Sequence, residues 1–286
     1  MTRRAWALLI APVLVAGLVV ACSSAAEPSA PTTPVSSTTS TTTEATADPG
    51  FRTRVKGVLT VATDHMVAPY YIESGGQLVG GFEYDLAKAI ASSLRVSVRV
   101  VPLRLVSMVS GRDCACDLYL GQAAATESLA RATDLSEPYL AADQAVVLRA
   151  GSAVVDAATA RTLRWGTTMR DAEAVDLVQR QLRPAAPLEL FADQNDLVDA
   201  VATSKVDAVL LDVPSALIAA KTDPRVTVAG RIATGGSYAA VLPLGSPNTS
   251  SLNDLIRKLR DNGTIGVLSR LFLGADPATV PVLKLT

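Results

Sequence analysis

Val206-Asp207-Ala208-Val209-Leu210-Leu211-Asp212-Val213-Pro214-Ser215-Ala216-Leu217 reads as a buried strand handing over to a helix. Residues 206–211 form a nearly continuous apolar run, the pattern of a strand covered on both faces. Pro214 falls in the first turn of a helix over 214–221, where a missing N–H costs nothing. The same alternation recurs on either side. Strands are expected at 58–62, 96–100, 117–120, 145–148 and 163–167. Helices are expected at 83–94, where Leu86, Ile90 and Leu94 make one stripe, at Leu105–Val109, at 172–182 and at 196–202. Leu252, Leu255, Ile256 and Leu259 mark an amphipathic helix closed by Asn262-Gly263. Apolar strands alternating with helices predict an α/β fold with parallel sheets covered on both faces. About 235 structured residues suit two lobes better than one.

Composition narrows the function classes. Of 286 residues, 49% are hydrophobic and 19% charged, which excludes a disordered chain. Aromatics are only 4%, too few for a base-stacking surface, and the net charge of −1 is wrong for a polyanion binder; no nucleic-acid partner is expected. One His and three Cys argue against a multi-ligand metal site. No cofactor is expected.

The amino terminus reads as an export and anchoring signal. Arg3 and Arg4 precede an apolar stretch over 5–21, broken by Pro12 and Gly17. That length is marginal for a spanning helix and better suited to a signal sequence. It ends in Val19-Val20-Ala21-Cys22, which resembles a bacterial lipobox with Cys22 as the lipidated residue. Residues 1–21 are therefore expected to be a lipoprotein signal peptide and 22–53 a disordered tether. Residues 23–50 carry eight Thr, six Ser and four Pro with almost no large apolar side chain. Such a segment cannot bury enough surface to offset its chain entropy. The expected location is the extracytoplasmic face of the cell membrane, through a lipid anchor.

Six motifs in order then carry a resemblance. They are Lys56-Gly57-Val58-Leu59-Thr60-Val61-Ala62-Thr63-Asp64, Pro69-Tyr70, Gly81-Phe82-Glu83-Tyr84-Asp85-Leu86-Ala87, Leu135-Ser136-Glu137-Pro138-Tyr139, Val206-Asp207-Ala208-Val209-Leu210-Leu211-Asp212, and Asp261-Asn262-Gly263-Thr264. Together the region 54–274 resembles the family 3 extracellular solute-binding proteins, which deliver polar amino acids to ABC importers. The resemblance implies a two-lobed periplasmic-binding-protein type 2 fold with two hinge crossovers and a ligand cleft between lobes. It places lobe 1 at 54–142 and 237–286, and lobe 2 at 143–236. It implies closure of the hinge around a ligand.

The implied site is incomplete. Asp212 stands where the family holds an α-ammonium, and Asp64 where it has a ligand-loop acid. Asp212 also suits a helix N-cap. The position of the family's carboxylate-binding Arg falls on Leu129, which cannot make a bidentate pair with a carboxylate. Ala124 replaces the usual hydroxyl and Val67 the usual aromatic. Arg131 and Arg170 are candidates to supply the missing charge, with Arg104 a further one. Tyr70 and Gln122 are candidates to line the cleft, and His65 neighbours Asp64. A carboxylate without its cationic counterpart predicts a cationic or polyhydroxylated ligand over a simple zwitterion. Cys114 and Cys116 are the thiols left once Cys22 is lipidated, and an oxidising exterior favours their pairing.

The expected function is capture of a small polar solute, by a monomer, for an ABC permease and ATPase. The alternative is a non-transport accessory or sensor of the same fold, such as a periplasmic partner of a quinoprotein dehydrogenase. With a single His no Ser/His/Asp or Cys/His set is readable, so no enzyme is expected.

Overall fold

The two apolar strands at the heart of the chain, Val58–Thr63 and Ala208–Asp212, are each an interior strand of a separate five-stranded sheet. The computed structural model describes residues 50–110, 115–152 and 156–284. In chain order the strands are β1 Val58–Thr63, β2 Ile72–Ser74, β3 Gln77–Gly80, β4 Ser97–Pro102, β5 Leu118–Tyr119, β6 Asp134–Ala141, β7 Gln144–Arg149, β8 Trp165–Thr168, β9 Glu189–Phe191, β10 Ala208–Asp212, β11 Val226–Ile232 and β12 Ser237–Leu242. The helices are α1 Phe82–Leu94, α2 Leu105–Val109, α3 Glu127–Ala132, α4 Ala157–Ala160, α5 Ala172–Asp176, α6 Gln194–Ala202, α7 Val213–Thr222, α8 Thr249–Asp261 and α9 Thr264–Phe272. All lie in one unit, Ala45–Thr286.

The first sheet runs β4-β1-β5-β12-β6 and the second β11-β7-β10-β8-β9. Each is the core of one α/β lobe. The sheets are mixed, which corrects the expectation of purely parallel ones. β1, β4 and β5 are parallel, but β12 is antiparallel to both β5 and β6. β8, β9 and β10 are parallel, but β7 is antiparallel to β10 and β11. The cause is the chain path. It leaves the first sheet after β6, crosses through Ala142 and Asp143, and enters the second at β7. It returns from β11 through 233–236 to enter at β12. The parallel strands end at the junction between lobes. A strand entered from that junction must run away from it, against its neighbours.

The crossovers are fastened to each other. Ala142 N–H donates to the Gly236 carbonyl at 2.8 Å. The Asp143 carboxylate, almost fully buried, accepts the backbone N–H of Thr234 at 3.0 Å and of Gly235 at 2.8 Å, and pairs with Arg231. The tail after α9 also joins the lobes. Val282 bridges Arg231 of β11, and Leu283 fills the space beside Gly230, whose missing Cβ would lie 2.6 Å from it.

Helix starts follow their caps. Asp171, Asp193 and Asp212 accept the N–H of Ala174, Asp196 and Ser215, opening α5, α6 and α7. The helix expected over 172–182 is α5 followed by a wider π-helical turn, Leu177–Leu182. The i, i+5 pair Leu177 and Leu182 both bury against Trp165 and Leu210 in the second lobe.

Candidate functional site

The ends of the parallel strands β8 and β10 and both crossovers converge on one cavity of about 440 Å³. Its second-lobe wall is made by Gln144, Asp171 and Asp212, with Arg170 and Glu173 towards the rim. Its first-lobe wall includes Ala124 and Tyr238.

Asp212 ends β10 and caps α7, accepting the Ser215 N–H at 3.0 Å. Its carboxylate also takes a hydrogen bond from the Tyr238 side chain. Burial, helped by the nearby Asp171 carboxylate, pushes Asp212 above the usual Asp range against the pull of those hydrogen bonds. Tyr70 is buried edge-on to Phe82, with ring centroids 6.4 Å apart. Burial first, then the charges of Asp212 and Glu83, push its hydroxyl up. Tyr70 therefore stands behind the cavity as packing, close enough to Asp212 to feel its charge.

Asp171 and Gln144 were not singled out from the sequence. Asp171 caps α5 through Oδ1, which accepts the Ala174 N–H at 2.9 Å. Its Oδ2 accepts the Gln144 amide at 3.1 Å. The signal available was an Asp before Ala172-Glu173 and a polar Asp143-Gln144 pair opening an apolar strand. Tyr238 had no such signal.

Apart from Arg170, the remaining sequence candidates lie outside the lining of this cavity. Asp64 accepts the Tyr119 hydroxyl and, at 3.3 Å, the Leu105 N–H at the start of α2. Burial opposes its charge, but these bonds and His65, 3.7 Å away, hold it below the usual range. Gln122 is turned away from the cavity. Its backbone N–H donates to Glu83 at 2.8 Å and its side-chain amide at 3.3 Å. Glu83 is fully buried at the start of α1 and also accepts the Tyr139 hydroxyl; burial raises its pKa despite those donors. A buried acid needs donors more than a cleft does, and that claims Gln122. Arg131 pairs with Glu127 one turn back on α3, a solvent-facing ion pair. Leu129 packs against the first-lobe cluster around Met108 and Tyr119, so the position of the absent Arg points into protein. Arg170 is exposed and is the one basic side chain lining the cavity among the described residues. Cys116 is buried and disulfide-bonded. Cys22 and Cys114 lie outside the described residues. Among the described residues no group of three His, Cys, Asp or Glu could hold a metal ion.

Residues 59–275 match the family described as bacterial extracellular solute-binding proteins, family 3. The L-cystine-binding protein TcyJ of Escherichia coli (strain K12) is 23% identical over 239 residues, covering 80% of this chain and 88% of that protein. The membrane-bound lytic murein transglycosylase F of Desulfosudis oleivorans is 28% identical over 240 residues, 79% of this chain but only 51% of that protein. Among solved structures, the L-cystine solute receptor of Neisseria gonorrhoeae in its unliganded open conformation superposes with a TM-score of 0.68 at 21% identity, covering 78% of this chain and 96% of that one.

Proposed function

The chain belongs to the bacterial extracellular solute-binding proteins, family 3, and we propose that it captures a small polar solute between its lobes by hinge closure and hands it to an ABC importer. The observation that carries the reading is the cavity itself. Groups from both sheets bound it, and both crossovers form its floor, so a solute inside touches both moving parts. Only contacts that differ between open and closed forms shift that balance. The match to the cystine-binding protein spans most of both chains, whereas the transglycosylase match spans about half of that enzyme. This favours binding over catalysis.

Cys22 follows Val19-Val20-Ala21 and precedes the Ser/Thr/Pro tether, which supports lipid anchoring at the outer face of the membrane. Cys22→Ala is expected to release the protein from the membrane fraction or block its processing. Unchanged retention with normal cleavage would remove the anchor.

The solute reading is tested on the full chain with a broad metabolite panel. Thermal shift finds a binder, since bound ligand stabilises by RT ln(1 + [L]/Kd). Small-angle scattering then asks whether that binder compacts the protein. A panel in which nothing both stabilises and compacts it would refute capture by closure. Loss of uptake of the binder on deleting the gene is the expected result for an importer partner.

A further inference from the structure

The cavity carries an excess of negative charge, while its neutral polar side chains, Thr168, Gln194, Ser237 and Tyr238, can donate or accept. Gln144 opens β7 and is only 2% exposed. A carboxylate can only accept, so its bond to Asp171 fixes the amide with Nε2 toward Asp171. That leaves Oε1 buried with no hydrogen-bond partner among the described residues, in a residue that lines the cavity. A buried acceptor without a donor is rare and costly, so the position calls for a donor from outside. Asp171 and Asp212 lie on the same wall, and Glu173 adds a third carboxylate. Two helix-start N–H groups beside these acids are already used, that of Ala174 by Asp171 and that of Ser215 by Asp212. Against these stands one exposed guanidinium, Arg170.

A solute carboxylate entering this cavity would meet three carboxylates against a single guanidinium. An ammonium brings three donors, and a guanidinium five. Resting on the reading of this cleft as the solute site, we propose that the solute is a cationic amine without a free carboxylate, its charged end held by Asp212, Asp171 and Gln144 Oε1.

Decarboxylation pairs isolate the carboxylate. Calorimetry on the full chain compares agmatine with arginine, putrescine with ornithine, cadaverine with lysine, and histamine with histidine. The expected result is that at least one amine binds ten-fold or more tighter than its parent amino acid. Asp171→Asn keeps the cap and removes the charge. It is expected to weaken that amine about ten- to a hundred-fold, as loss of a charge-assisted bond does. Arg131→Ala, in the solvent-facing ion pair of α3 outside the cavity, is the control and is expected to leave the amine's affinity within about three-fold.

Parent amino acids binding as tightly as the amines, or losing their affinity in Arg170→Ala, would overturn the proposal by assigning Arg170 to a carboxylate. Binding of none of the eight probes at millimolar concentration would also overturn it. Neither result touches the broader reading, which falls only if no solute of the wider panel compacts the protein.

Discussion

Asp143→Ala removes a side chain that fastens the two crossovers together. Asp143 is 5% exposed, and its carboxylate accepts from Thr234 and Gly235 on the opposite crossover and from Arg231 at the end of β11. The three losses differ in weight. Gly235 is exposed, so water replaces the carboxylate at its N–H cheaply. Arg231 is 19% exposed, and its guanidinium would be left without a counter-ion beside the hinge. Breaking a buried pair by removing one partner costs about 3–5 kcal/mol. The residual exposure of Arg231, and its second bond to the Val280 carbonyl at 3.1 Å, place this case at the lower end. We expect a loss of about 3 kcal/mol, which for a chain of this size lowers Tm by about 6–12 °C. Asp143→Asn keeps an oxygen for the backbone N–H groups and loses only the charge, so about 1–2 kcal/mol is expected. Urea denaturation followed by circular dichroism measures both, with the shift in midpoint at constant slope giving the free energy. An Ala variant within about 1 kcal/mol of wild type, or an Asn variant as damaged as the Ala one, would refute the assignment of the hinge fastening to this carboxylate.

Gly81 precedes α1 with φ 125°, and a Cβ there would sit 2.3 Å from the Tyr70 carbonyl oxygen; Gly81→Ala should cost about 3 kcal/mol, read from the denaturation midpoint. Burial and Asp171 hold the Asp212 pKa above its unfolded value, so the folded form keeps that proton more tightly. Its contribution to stability is therefore present below the unfolded pKa and lost as pH rises through the folded one. Stability of the solute-free protein should thus fall less steeply with rising pH in Asp212→Asn than in wild type. Amine binding has the opposite sign, since it needs the ionised carboxylate. It should weaken on acidification at a higher pH than an ordinary Asp would dictate, as calorimetry across the acidic range would show. Tyr238→Phe removes the hydroxyl that binds Asp212. It should cost about 1 kcal/mol or less in stability and shift the pH dependence of binding upward, because a bond that favoured the charged form is gone.

The strand-to-helix handover at Asp212 was legible because both halves carry local signals. The apolar run and Pro214 gave β10 and α7 to within two residues. The strand begins at Ala208, not Val206, because Asp207 is occupied gripping Arg164 through its backbone N–H and guanidinium. The antiparallel course of β7 and β12 was not legible. Direction in a sheet comes from where the chain enters it, and Gln144–Arg149 carries the same apolar pattern either way. The site divided along the same line. Asp212 and Arg170 sit at ends of elements with clear patterns and line the cavity. Gln122 was misread because its partner, Glu83, is 39 residues away in sequence, inside a helix whose acidic first turn looks solvated. Gln144 and Asp171 gain their meaning from each other, across 27 residues, and no local pattern announces that pairing.

A carboxylate that caps a helix can still serve the cleft, and the geometry of Asp212 shows how. A carboxylate has about four acceptor sites. The cap bond and the Tyr238 bond leave others for a solute. Tyr238 lies in the first sheet but only two residues beyond the crossover at 233–236, so the Asp212–Tyr238 contact sits where the lobes move least. A hydrogen bond of this kind is worth about 0.5–1.5 kcal/mol net, at most about a ten-fold bias. It therefore steadies the site without deciding closure. Asp212, Asp171 and Gln144 all belong to the second lobe, so a solute held by them alone would bind the open and closed forms nearly equally and shift nothing. Closure has to come from the far end of the solute meeting the first lobe. A solute longer than a bare ammonium is required, one whose charged end rests on the second-lobe acceptors while its body reaches the wall at Ala124 and Tyr238.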